Sequence, residues 1–179
     1  MTVFTIGHST RSLETFLGLL RAAAIDHLVD VRRFPHSRRQ TQFNIETLPA
    51  ALAANGIGYT HMEALGGRRK PRPGGKSSPH TLWREESFRN YADYAETPEF
   101  HAAFDALRKI EQSKRPVIMC AEAVWWRCHR RIITDYLLAS GIEVQHILDG
   151  KIEPAHITEG AIMQPDGSIL YTDVPLLAG

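Results

Sequence analysis

The sequence predicts an α/β fold: a single domain on a mainly parallel sheet flanked by helices, with a β-hairpin near its C-terminal end. Three observations carry this. Short apolar runs led by β-branched residues alternate with longer segments whose apolar residues recur at helical spacing, the pattern of βαβ units. A chain of 179 residues, 43% hydrophobic and 23% charged, is one domain of ordinary size and can bury a full core. Finally, Ala161-Ile162-Met163 and Ile169-Leu170-Tyr171 flank the turn triplet Pro165-Asp166-Gly167.

In chain order, Val3 to Ile6 reads as a first strand ending in Gly7-His8-Ser9. Ser12 suits an N-cap for a helix carrying Leu13, Phe16, Leu17 and Leu20 to about Ala24. Leu28 to Val31 is a second strand, and Arg32 to Gln42 its exit loop. Asn44 is expected to cap a helix through Leu48, Leu52 and Ala53 that stops at Asn55-Gly56, before a third strand from Ile57 to Met62. Residues 63–84 form a long basic loop rich in Gly and Pro, long enough to suggest a functional segment. Ser87 to Tyr94 looks helical, and Thr97 caps a helix bearing Phe100, Phe104, Leu107 and Ile110. The central strand follows at Val117 to Met119, then a turn, then a helix with Ile132, Ile133, Tyr136 and Leu137 on its apolar face. Glu143 to Leu148 is a fifth strand, and residues 151–179 form the hairpin region.

No apolar run approaches the roughly 18 to 20 residues that span a bilayer, so no membrane partner is expected. The opening residues lack the basic and apolar regions of a signal peptide. Two cysteines are too few for a disulfide framework. A cytoplasmic location is the expectation. Nothing in the sequence sets the oligomeric state.

The formal net charge is +1, but the positive charges are grouped. Arg32, Arg33, Arg38 and Arg39 form one cluster; Arg68, Arg69, Lys70, Arg72 and Lys76 a second; Arg127, Arg130 and Arg131 a third. Any one basic loop is ordinarily just solvated. Right-handed crossovers, however, bring every strand-to-helix loop to one edge of a parallel sheet, where ligands bind. The expectation is a basic cleft taking an anionic ligand, most simply a phosphate-bearing nucleotide or nucleic acid.

The densest chemistry lies between the central strand and its helix. Cys120 is either a thiolate nucleophile, activated by nearby arginines and a helix N-terminus, or a small core residue. Glu122 suits a general acid or base, or a partner for an arginine. Trp126, like Trp125, could stack on a base or simply pack. His129 and Arg130 put cations in a first helical turn, which a bound anion would relieve. Cys120, Cys128 and His129 could hold zinc, with His8 or His146 as a fourth ligand, although the gap between the cysteines is not a zinc-knuckle spacing. Asp30 and His8 sit at strand ends, as further catalytic candidates or as structural partners. Ser9, Arg32, Arg33, Arg68, Arg69 and Arg127 complete the ligand-binding candidates; Gly66-Gly67 would let backbone amides approach a phosphate beside Arg68 and Arg69.

Thr5 to Ser9, Val29 to Pro35, Leu65 to Arg69, Met119 to Glu122 and Cys128 to Arg130 together resemble the bacterial domain-of-unknown-function family 488, in order and over nearly the whole chain. The resemblance implies an α/β protein with its distinctive residues at these positions, and no particular reaction. A weaker similarity is to rhodaneses and cysteine phosphatases, which also place a Cys after a strand and an Arg at the next helix. Their loop is compact, whereas six residues separate Cys120 from Arg127 here. The expected function is an enzyme, a hydrolase or glycosylase type, acting on a nucleotide or nucleic acid. The alternatives are a non-catalytic nucleic-acid- or anion-binding module and a metal-binding protein using Cys120, Cys128 and a His; the sequence requires no cofactor, and zinc is the metal those residues could take.

Overall fold

The computed structural model describes residues 2–173; the last part of the hairpin region, residues 174–179, lies outside them. Six strands form the main sheet: β1 (Thr2–Gly7), β2 (His27–Asp30), β3 (Gly58–His61), β4 (Pro116–Cys120), β5 (Glu143–Leu148) and β6 (Lys151–Pro154). Their spatial order is β3-β2-β4-β1-β5-β6. The first five are parallel and β6 runs antiparallel to β5. The expected α/β class therefore holds, with five helices: α1 (Leu13–Ala22), α2 (Leu48–Ala53), α3 (Glu86–Ala95), α4 (Pro98–Glu111) and α5 (Arg130–Ala139). The expected hairpin is β7 (Ala161–Met163) paired with β8 (Ile169–Tyr171).

Alternation along the strands splits the core in two. Phe4, Ile6, Val117 and Met119 turn to one face and pack with Phe16, Leu20, Leu48 and Leu52 of α1 and α2. Val3, Ile118 and Cys120 turn to the other, against Tyr91, Phe100, Phe104, Ile133 and Leu137 of α3 to α5. Ser12 caps α1 by accepting from Thr15 N at 3.1 Å, and Thr97 caps α4 by accepting from Phe100 N at 3.3 Å.

Two elements differ from the sequence reading. Asn44 does not cap α2 with its side chain. Its amide accepts from Ser37 N at 2.7 Å and donates to Ser37 O at 3.3 Å, closing the arginine-bearing loop after β2. Strand β6 was not expected. It follows β5 through Asp149-Gly150, with Gly150 at φ 77°, a two-residue hairpin turn whose dipeptide is itself a hairpin signal.

Register brings the ligand edge together. Gly7 lies beside Cys120, and Asp30 beside Met119. Strand β4 thus ends between β1 and β2, with the three exit loops side by side.

Candidate functional site

The exit loops are tied by backbone hydrogen bonds. His8 N donates to Cys120 O at 2.9 Å, Ser9 N to Ala121 O at 3.0 Å, and Val31 N to Met119 O at 3.0 Å. The loop after Cys120 then crosses directly over Gly7: a Cβ there would lie 1.8 Å from Glu122 O. Only glycine permits this crossing. Arg130, almost fully buried, donates from Nη2 to Glu122 O at 2.5 Å and holds the same loop from the other side.

The second basic loop joins by an equally close approach. A Cβ on Gly66 would lie 2.7 Å from the Arg33 Cα, and Arg33 Nη1 donates to Arg68 O at 2.7 Å. Between these loops opens a cleft of about 760 Å³. Of the catalytic candidates, His8, Cys120 and Glu122 line it. So do Ser9, Arg32, Arg33, Arg68, Arg127 and His129 among the ligand candidates. Ser9 (φ 49°) and Arg68 (φ 57°) hold left-handed backbone, costly conformations that gather at functional sites.

Four candidates stand elsewhere. Asp30 is wholly buried beneath the cleft, accepting from Arg32 Nε at 2.8 Å, Arg32 Nη2 at 2.5 Å and Tyr59 Oη at 2.9 Å. It is a structural anchor for Arg32, whose Nη2 also donates to Phe43 O at 2.7 Å. Arg69 spends its guanidinium on the carbonyls of Gly66, Glu63 and Ala64, and sits 3.6 Å over the Tyr94 ring. Arg130 is the buried strut already described. Trp126, 45% exposed, lines a separate shallow depression with Trp83 and Arg131.

His8 stacks on Phe43 at 4.4 Å, and its Nδ1 lies 2.9 Å from Ser9 O. A carbonyl only accepts, so Nδ1 carries the proton and Nε2 faces Arg32 Nη1 at 3.3 Å as acceptor. Burial lowers its pKa to about 4, and Arg32 and Arg11 add to the fall. At neutral pH His8 is an uncharged spacer under the cleft.

The sulfur chemistry is shared. Hydrogen bonding to Cys128 and burial push the Cys120 thiol well up. Burial alone would raise Cys128 too, but the Cys120 donor, His129 and Arg130 together pull it well down. Of the two, Cys128 is the cysteine whose surroundings favour the deprotonated form. Arg130 Nε lies 3.5 Å from Cys128 Sγ. Both cysteines are free and both line the cleft.

The sequence model of one protein family matches residues 12–137, covering the edge loops after β2, β3 and β4. The chain belongs to the family described as domain of unknown function DUF488. Comparison with curated proteins and with solved structures gave no significant match. In this DUF488 chain, no helix among the described residues is long and apolar enough to cross a membrane.

Among the described residues of this DUF488 chain, two side-chain groups have the donors to hold a metal ion. Cys120, Cys128 and His129 bring their ligand atoms within 4.8 Å of one another, as do His80, Asp93 and Glu96. In the second group the Arg72 guanidinium already stands between the carboxylates, donating to Asp93 at 2.6 Å and also to Glu96. His8 and His146 belong to neither group. His146 Nδ1 is 2.7 Å from Thr5 Oγ1, and its ring stacks on Trp125.

Sequence reasoning missed two features of the cleft. Phe34 is 60% exposed and sits on its wall, the most exposed large hydrophobic side chain among the described residues. Its position within Arg33-Phe34-Pro35 was visible, but no pattern marks one aromatic as outward-facing. Arg39 also lines the cleft, at the far end of the first basic loop.

Proposed function

We propose that the cleft binds a phosphate-bearing ligand, a nucleotide or a stretch of nucleic acid, and that the chain is an enzyme acting on it. One observation carries the reading. Arg33, Arg39, Arg68 and Arg127 line a single cleft, and none makes an ion pair with a described carboxylate. Glu122 is the one carboxylate among the described lining residues. Unpaired guanidiniums on a concave surface concentrate anions and suit bidentate phosphate recognition. Phe34 offers a flat apolar face for a base beside them. Trp126 lies outside the cleft and does not serve this role.

Glu122 is exposed on the cleft wall and is the group best suited to proton transfer at a bound ligand. The test has two stages. Binding of a labelled single-stranded oligonucleotide and of a mononucleotide is followed by fluorescence polarisation across ionic strength. Three to four phosphate contacts give a slope of log K against log salt of roughly −2 to −3 for a single strand. Arg68→Ala with Arg127→Ala should weaken binding and flatten that slope by about one to two. No binding of either ligand at low salt refutes the reading. Glu122→Gln should then keep affinity and lose turnover.

One observation favours a non-catalytic version of the same cleft: Asp30 is consumed by Arg32, and His8 is neutral and capped. Binding by the native chain without turnover of either ligand would support that version.

A further inference from the structure

We propose that Cys120 Sγ, Cys128 Sγ and His129 Nδ1 form a three-ligand site for a zinc-class transition-metal ion, its fourth position open to the cleft. The site goes beyond the anion-binding reading and does not depend on it.

The first support is the donor set. Two sulfurs and an imidazole suit zinc and its neighbours and disfavour magnesium or calcium, which take oxygen. Three protein ligands with one open position is the arrangement of catalytic zinc sites, where structural sites are closed by four.

The second is distance. A tetrahedral ion bonded at about 2.3 Å to sulfur and 2.0–2.1 Å to nitrogen holds those two donors about 3.5–3.6 Å apart. Cys128 Sγ and His129 Nδ1 are 3.5 Å apart. All three donors lie within 4.8 Å of one another, so closing Cys120 onto the ion needs a shift on the order of 1 Å.

The third is the ring orientation. His129 Nε2 lies 3.0 Å from Val31 O. The carbonyl accepts only, so Nε2 bears a proton, and Nδ1, facing Cys128, is the nitrogen at which an ion would take the place of a proton. A ligating histidine is ordinarily fixed in this way by a backbone carbonyl on its other nitrogen. Tyr91 packs on the same ring at 4.9 Å and helps hold its plane.

The fourth is the surroundings. A Cβ on Gly67 would stand 2.8 Å from His129 Nδ1 and 3.3 Å from its Cε1 and Cγ, so a glycine there lets the Gly66-Gly67 loop lie over the ring face and helps to fix it. Arg130 Nε, 3.5 Å from Cys128 Sγ, supplies the N–H that a metal-bound thiolate accepts. All three donors line the cleft, so a water on the fourth position would face any bound ligand, and the ion would lower that water's pKa.

Sequence spacing argued against zinc because the cysteines are too far apart for a knuckle. That rule applies to a local turn. Here Cys120 ends a strand, and the turn through residues 125–127 folds Cys128 back against it.

The test is cobalt substitution on the whole chain, reduced and freed of metal by chelator. Co²⁺ is titrated into the native protein and followed by absorption. Binding at one ion per chain, with a sulfur-to-cobalt charge-transfer band and the visible bands of four-coordinate cobalt, is the expected result, reversed by equimolar zinc. Cys128→Ser should cut the charge-transfer band by about half and weaken affinity at least tenfold; His129→Gln should keep the band but weaken affinity by about 10–100-fold. The native titration needs no variant to fold. Absence of the band at saturating cobalt, or stoichiometric uptake without it, overturns the site. So does equal affinity in the Cys120→Ser, Cys128→Ser double variant.

Discussion

Lowering the pH from 7 to 5 should destabilise this fold through His146. The ring is buried on β5, with Nδ1 against Thr5 Oγ1, one face stacked on Trp125 at 4.5 Å, and no hydrogen-bond partner for Nε2 among the described residues. Burial, then the nearby Arg130 cation, lowers its pKa from 6.5 to about 4. The unfolded chain therefore binds this proton more readily than the folded one. The resulting stability is present above pH 6.5 and is lost progressively as the pH falls toward 4. Linkage gives a loss of about 2 kcal/mol between pH 7 and pH 5 from this one group. The assay is urea unfolding at pH 7, 6 and 5, on the native chain and on His146→Asn. His8, depressed in the same direction, keeps its share in both proteins. Whatever the substitution costs at pH 7, its further loss on going to pH 5 should be smaller by about 2 kcal/mol. Parallel losses in the two proteins would mean that His146 already carries its proton when folded, and the reasoning from burial would fail.

Asp30→Asn leaves the Arg32 guanidinium buried without its anion and should cost about 3–5 kcal/mol in chemical denaturation. A loss under 1 kcal/mol would mean that the pair is solvated. Gly7→Ala drives a methyl into the backbone of Glu122 and Ala123 and should lower stability by about 3 kcal/mol or more, read as a fall in Tm. An unchanged Tm would show that the loop over Gly7 is not where the contact puts it. The arginine pair at the cleft and the cobalt titration supply the functional tests.

Most of the fold was legible because parallel strands buried on both faces read as continuous apolar runs, and helices read as periodic ones. Ser12 and Thr97 were recognisable as caps because capping is local. Asn44 was misread for the complementary reason. Its side chain reaches seven residues back to Ser37, a contact that no local rule ranks above capping. Strand β6 is only four residues long and polar, so its apolar signal is weak; Asp149-Gly150 was the cue.

The residues themselves determined the α/β class, the edge at which the basic loops emerge, and the chemical inventory of that edge. They could not decide which arginines stay free. Arg33, Arg68 and Arg127 reach the cleft, whereas Arg69 and Arg130 are consumed by backbone carbonyls. Nor could they bring Cys128 within ligating distance of Cys120 and His129. The physical reason is common to both. Which side chains stay free and which can share a ligand depends on neighbours far along the chain, here Val31 O for His129 and Gly7 for the Cys120 loop, and those distances exist only once the sheet has formed.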